Sequence, residues 1–291
     1  MVGDSTRPLY FLILTSILNI ILDLFFVLVL QQGIAGVAYA TIIAQFISAG
    51  LTLLLLSRSK DVFRLTWRDM KIEWETLRQI FAVGLPTGIQ SVITAFSNVF
   101  VQSYINAFGS ECMAGWSSYN KLNQFCMLPT QSLSVAVTTF VSQNIGAGRE
   151  KRADRGTAVT VGLSVCVLSL IAALLYIFAE PAVRLFTKDA AVISFGVLFI
   201  HTNTWLQPFG DLCHVFAGAL RGRGDSRGPM IIMLSTFVGL RQLYLFLITR
   251  FVVNTPVSVG IGYPVGWLTC CATMAIYYRF RVKRKVASIT V

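Results

Sequence analysis

Six ionisable side chains fall inside long apolar runs of this 291-residue chain: Asp23, Lys121, His201, Asp211, His214 and Arg241. Charge is expensive in such surroundings, so each needs either a partner or a task. Asp211 and His214 stand three residues apart, about one helical turn, and so share a face. Such a pair can pass a proton or hold a cation, because an imidazole changes charge near neutral pH. It can equally be a hydrogen-bonded pair that ties two helices together. Lys121 belongs to a polar cluster with Asn120, Asn123 and Gln124. It is expected to find a carboxylate (Asp211 or Asp23) or several carbonyls, and without a partner it would repel cations. Arg241 reads either as the ion-pair partner of Asp211 or as a group that meets a solute directly. Gln90, Asn98 and Gln102 offer hydrogen bonds to a solute or between helices. His201 reads as a structural, hydrogen-bonded histidine. No nucleophile, base and orienting group converge in one region, so the chain does not read as an enzyme.

The elements that must position these groups are apolar helices. The chain is 55% hydrophobic and 13% charged, with a mean hydropathy of +0.69, too little polar surface for a soluble globule of this length. A helix crosses a bilayer with about 20 residues. Runs of that length predict eight spans, at 9–31, 36–57, 79–108, 113–143, 157–179, 190–220, 229–252 and 257–280. The fold class is therefore all-α and polytopic. The first run is too long for a cleavable signal peptide and lacks a small-residue cleavage site.

The net charge of +11 is distributed as in a membrane protein, not a nucleic-acid binder. Of 24 Lys and Arg, 19 fall at alternate ends of the spans, from Arg7 through 58–78, 149–155 and 221–227 to 279–285. By the positive-inside rule these segments and both termini are cytoplasmic, in a multi-pass protein of the cell inner (plasma) membrane. Six cysteines without a CxxC pair support neither a disulfide framework nor a metal site.

The stretch Ser57 to Gln79 mixes cations with Phe63, Trp67, Ile72 and Trp74, and reads as an amphipathic linker lying on the membrane surface. It sets the expected organisation: 1–57 with two spans, 58–78 as cytoplasmic linker, 79–282 with six spans, and 283–291 as a basic cytoplasmic tail. Gly3-Asp4-Ser5 returns as Gly224-Asp225-Ser226, each copy running into an apolar block, which suggests two related halves. Pro86 and Pro129 fall inside spans, where a proline can bend a helix and free backbone carbonyls.

The fourth span ends in Val141-Ser142-Gln143-Asn144-Ile145-Gly146-Ala147-Gly148-Arg149. Together with Gly84-Leu85-Pro86 before it and Leu220-Arg221-Gly222-Arg223-Gly224-Asp225-Ser226 after it, this motif resembles the multidrug and toxic compound extrusion (MATE) family over the whole chain. The resemblance implies twelve transmembrane helices in two six-helix lobes, arranged as an inverted V. It also implies antiport of Na+ or H+ against organic, often cationic, compounds through a cavity between the lobes, with no cofactor beyond the coupling ion. Small organic molecules and the lipid bilayer are then the partners, and nucleic acid is not.

Laid on that plan, residues 9–57 resemble helices five and six, and 79–280 resemble helices seven to twelve. Helices one to four have no counterpart, so the expectation is an N-terminally truncated chain, inactive by itself unless the missing helices join it. The sequence departs from the family in places. A glutamate that some branches carry in helix seven falls at Thr94, and an acid in helix ten falls at Gly210, one residue before Asp211. Other branches keep their aspartate in helix one. The alternatives are a relative of lipid-linked oligosaccharide flippases or a non-transporting fragment. Gly222-Arg223-Gly224 imitates a nucleotide loop, but it joins two membrane helices, so a tight turn is the plainer reading.

Overall fold

The structure, a computed structural model, describes the backbone of residues 6–58 and 71–289 and the side chains of residues 9–58 and 71–282. Residues 59–70 of the expected linker, the first Gly3-Asp4-Ser5 copy and the side chains of the 283–291 tail lie outside the described residues. Every regular element among the described residues is helical. The chain divides into two compact units between Trp74 and Glu75.

In the first unit, α1 (Thr6–Leu24) runs on through a π-helical turn, Phe25–Val29, and α2 (Gly33–Arg58) packs back against it. The second unit begins with three long helices, α3 (Trp74–Asn106), α4 (Ser110–Gly146) and α5 (Glu150–Ile177), followed by the short α6 (Ala179–Arg184). Next come α7 (Ala190–Asn203), α8 (Gln207–Gly222) and α9 (Arg227–Met233). A π-helical stretch, Leu234–Leu240, leads into α10 (Arg241–Phe251), and α11 (Pro256–Gly260) and α12 (Gly262–Ile289) close the chain.

Seven helical stretches among the described residues are long and apolar enough to cross a membrane: Leu9–Val29, Gly33–Arg58, Trp74–Asn106, Ser110–Gly146, Glu150–Ile177, Arg227–Val252 and Pro256–Val282. The sixth expected span, 190–220, is not one continuous helix. It is two helices, α7 and α8, broken over Thr204–Leu206. Pro208 explains the break, because it has no N–H to donate and its ring collides with the carbonyl four residues back. The backbone there closes instead by shorter bonds, Leu206 N–H to Asn203 O (3.2 Å) and Gln207 N–H to Thr204 O (3.3 Å). Pro86 and Pro129, in contrast, sit inside the continuous helices α3 and α4.

Lipid is as apolar as leucine, so the second unit is held by close packing and interhelical hydrogen bonds. The aromatic core joins Trp116 and Tyr119 of α4 to Phe199 of α7, with the Trp116 and Phe199 rings 4.8 Å apart, edge to face. Farther along α4, small residues bring α8 very close. Ser134 Oγ donates to His214 O at 2.8 Å, and Thr138 Oγ1 donates to Gly218 O at 2.9 Å.

The two glycine motifs are helix stops. Gly148 and Gly224 both have positive φ (71° and 81°), the left-handed turn that caps a helix. In each, the next N–H returns to the last turn: Arg149 to Asn144 O at 2.8 Å and Asp225 to Leu220 O at 3.0 Å. Gln143 and Gly146 lie in that last turn of α4, and Asn144 Nδ2 donates to Phe140 O at 2.7 Å.

Asp225 then ties the α8–α9 turn to α12. Its Oδ1 accepts from Gly228 N–H (3.0 Å), and its Oδ2 accepts from Tyr277 Oη (2.7 Å) and Arg281 Nε (2.8 Å). Beside it Arg223 pairs with Asp154 of α5 and lies over the Tyr278 ring, while Ser226 is buried in the same turn. Burial pushes the Asp225 carboxyl up, but hydrogen bonds from Tyr277, Gly228 and Arg281 outweigh it, so the group titrates below the usual carboxylate range.

Asp225→Asn is expected to cost about 1.5–3 kcal/mol, trimmed because Arg281 is half exposed, and so to lower the heating midpoint by roughly 3–8 °C at pH 7. A lowered native pKa stabilises above the unfolded value of about 3.9, and that contribution is lost as the pH falls through the native value. The gap between wild type and variant should therefore narrow below about pH 4. Midpoints at neutral and acidic pH check this, and an equal gap at both would count against a charged Asp225.

Candidate functional site

Two stripes of polar side chains face each other across the α4–α8 contact. On α4 the spacing is Tyr119, Asn123, Cys126 and Thr130, and on α8 it is Gln207 and Asp211, continuing from Asn203 and Thr204 at the break. Spacings of three and four put each set on one helical face. Gln207 Nε2 donates to Asn123 Oδ1 at 2.7 Å and fixes the register. Asp211 is 2% exposed and lies beside Thr130, within electrostatic reach of Tyr119 and Cys126.

Several oxygens in this region lack a hydrogen-bond partner: Asp211 Oδ1, Thr130 Oγ1, Tyr119 Oη, Gln207 Oε1, Asn203 Oδ1 and Thr204 Oγ1. Buried polar atoms are normally satisfied, and leaving one orphaned costs about 1–3 kcal/mol. A buried carboxylate oxygen without a partner, with the Thr130 and Tyr119 hydroxyls near it, is what a proton or a small hard cation would satisfy.

The other charged groups are distributed differently from expectation. Lys121 is not the partner of Asp211. It is exposed on α4, with Nζ over the Phe186 ring at 5.4 Å, because residue 121 points away from the face that carries Tyr119 and Asn123. His214 does not bond Asp211. Its ring lies near Phe237, 6.2 Å between centroids, and its carbonyl takes the Ser134 hydrogen bond. Three residues along a helix leave the two side chains about 60° apart, enough for α4 to claim Asp211 while the imidazole meets the π-helical stretch.

Arg241 does not pair with Asp211 either. It is 4% exposed, donates to Ser97 Oγ (2.7 Å) and Asn98 Oδ1 (3.0 Å), and lies 4.6 Å over the Tyr263 ring. Gln90 donates to Met233 Sδ, and Asn120 is half-buried beside Tyr119. His201 receives the structural setting expected of it, bonded to Tyr176 O at 3.3 Å and stacked on that ring. In the first unit, Asp23 Oδ1 and Asn19 Nδ2 are buried on α1 without partners. Sequence reasoning missed Thr130, Tyr119, Gln207, Thr204 and Ser97. The signal for the first three was their repeat at i, i+4 and i+7 with Asn123 and Asp211.

Membrane-length apolar helices packed by small residues, with a carboxylate sealed among unsatisfied oxygens, define an α-helical integral membrane protein. The chain belongs to the MatE family, whose model matches residues 86–247, more than half of its length. Among curated relatives it is 29% identical over 278 residues to a probable multidrug resistance protein of Bacillus subtilis, YpnP, covering 96% of this chain and 62% of the relative. It is 27% identical over 242 residues to the probable multidrug resistance protein NorM of Thermotoga maritima, covering 82% and 51%. The chain thus spans somewhat under two thirds of the length of these relatives. A solved structure described as an outward-facing conformation of a multidrug resistance MATE family transporter superposes with a TM-score of 0.89 at 20% identity, over 97% of this chain and 63% of that one. A crystal structure of MATE in the straight conformation gives a TM-score of 0.90, also at 20% identity, over 97% of this chain and 64% of that one.

Proposed function

We propose that the protein takes part in cation-coupled antiport, exchanging H+ or Na+ for organic compounds, with Asp211 as the residue that carries the coupling cation. The observation behind this reading is the Asp211 carboxylate, 2% exposed inside the membrane region with Oδ1 unpaired. A proton or cation bound there would be desolvated and would exchange only when the α4–α8 region opens, which ties its release to a conformational change. Thr130, Tyr119 and Gln207 would supply neutral oxygens, and Asn123 positions Gln207. The relatives named as multidrug resistance proteins support organic compounds as the exchanged class. The charge pattern supports a plasma-membrane location with the 144–156 and 221–228 loops and both termini cytoplasmic.

The test is ethidium efflux in inverted vesicles holding the protein expressed from its natural reading frame. An imposed proton or sodium gradient should drive dye movement above that of vesicles without the protein. Equal rates with and without a gradient would remove coupled transport from consideration.

A further inference from the structure

Arg241 is a formal positive charge in the middle of a membrane-length helix, 14 residues or about 21 Å along from Arg227 at its start. It belongs to none of the ion pairs among the described residues. Its partners are neutral (Ser97 Oγ, Asn98 Oδ1 and the Tyr263 ring), and its Nε is buried without an acceptor. Helix glue does not account for this. The adjacent Gln242 already joins α10 to the same residue of α3, donating from Nε2 to Ser97 O (3.0 Å) and Ser97 Oγ (2.8 Å). A neutral side chain does that work without the cost of a buried charge.

The helix also changes register just before the guanidinium. The π-helical stretch Leu234–Leu240 ends at Arg241, and a π turn shifts the helical register so that consecutive residues, Arg241 and Gln242, both reach Ser97. Asn98, which holds the guanidinium and also accepts from Tyr263 Oη at 3.4 Å, is exposed on this unit, so the charge lies one side chain below its surface.

We propose that Arg241 is an anion-recognition site, accepting the carboxylate of an organic anion or zwitterion through its free Nε–H. The planar guanidinium suits a carboxylate, and a dry setting makes the charged hydrogen bond strong. This rests on the transport reading and narrows its substrate class. A compound carrying both a cation and a carboxylate gains a charged hydrogen bond at Arg241 that a wholly cationic one lacks, and Asp211 stays with the coupling ion.

Rhodamine B and its ethyl ester test the idea, because they share a cationic ring system and differ in one free carboxylate. Dye binding is read by fluorescence anisotropy on the whole chain in phosphatidylcholine nanodiscs, with empty discs subtracted. The wild type should bind rhodamine B at least about tenfold more tightly than the ester. Arg241→Gln should erase that preference, and Arg241→Lys should retain part of it because the charge remains. Equal wild-type affinity for the two dyes overturns the proposal even if Arg241→Gln does not fold, and so does a preference that survives Arg241→Gln. No gradient is involved, so the two readings fail separately. A carboxylate preference without gradient-driven efflux sinks only the transport reading, and coupled efflux without the preference sinks only the anion site.

Discussion

Replacing Asp211 by asparagine is expected to cut gradient-driven dye efflux at least about tenfold, while the protein still accumulates and melts near the wild-type temperature. Asparagine fills the same volume between α4 and α8, so the Tyr119–Thr130 face keeps its packing. It loses the one property that matters for coupling, a charge that a proton or cation can neutralise. The neutral oxygens of Thr130 and Gln207 remain, but alone they hold neither at a useful affinity. Efflux within twofold of wild type, at equal expression, would falsify the assignment and leave Asp211 as a structural group. Lys121→Gln is the informative companion. Lys121 lies over Phe186 and not beside Asp211, so its loss should leave the ion dependence unchanged.

The largest expected loss of stability is at Gly218. A Cβ added there would lie 2.5 Å from Ser134 O and 2.8 Å from Ser134 Oγ, with Thr138 Oγ1 at 3.0 Å. The nearest atom is backbone in the middle of α4, so it cannot swing aside. Either the helices part or the residue is not accommodated. Overpacking of this kind costs about 1–3 kcal/mol for one carbon. Separation would also break the Ser134–His214 and Thr138–Gly218 hydrogen bonds, at about 1 kcal/mol each. Gly218→Val should therefore lower the heating midpoint by at least about 5 °C, or abolish the monodisperse protein altogether. Gly162, whose added Cβ meets nothing within 4 Å, is the control position, and Gly162→Ala should change little. A Gly218→Val protein that melts with wild type would mean that α4 and α8 are not in contact as described. Because this contact carries Asp211, even a folded Gly218→Ala protein should also show weakened coupling.

Much of this protein is legible from its residues alone. Runs of apolar residues commit the backbone to helices, because in lipid each N–H and C=O must be satisfied within its own segment. Hence the helix positions, the membrane class and the family could be read from one chain. The turn motifs were legible for a similarly local reason: Gly148 and Gly224 supply the positive φ that a helix stop needs, whatever surrounds them. Even the break inside 190–220 had a local cause in Pro208, just after the polar stretch His201-Thr202-Asn203-Thr204.

Partnership between polar groups was not legible, and tertiary structure decided it. Asp211, His214, Lys121 and Arg241 looked from the sequence like one charged network. In the fold each meets a different neighbour: Thr130, Phe237, Phe186 and Ser97. Each residue turns a helical side chain by about 100°, so which face meets which helix depends on how the helices pack. A π turn can move a residue such as Arg241 onto another face with no mark in the composition. Local chemistry fixed the helices and their stops, and packing between helices chose which carboxylate is left unpaired and which cation is left without a counter-ion.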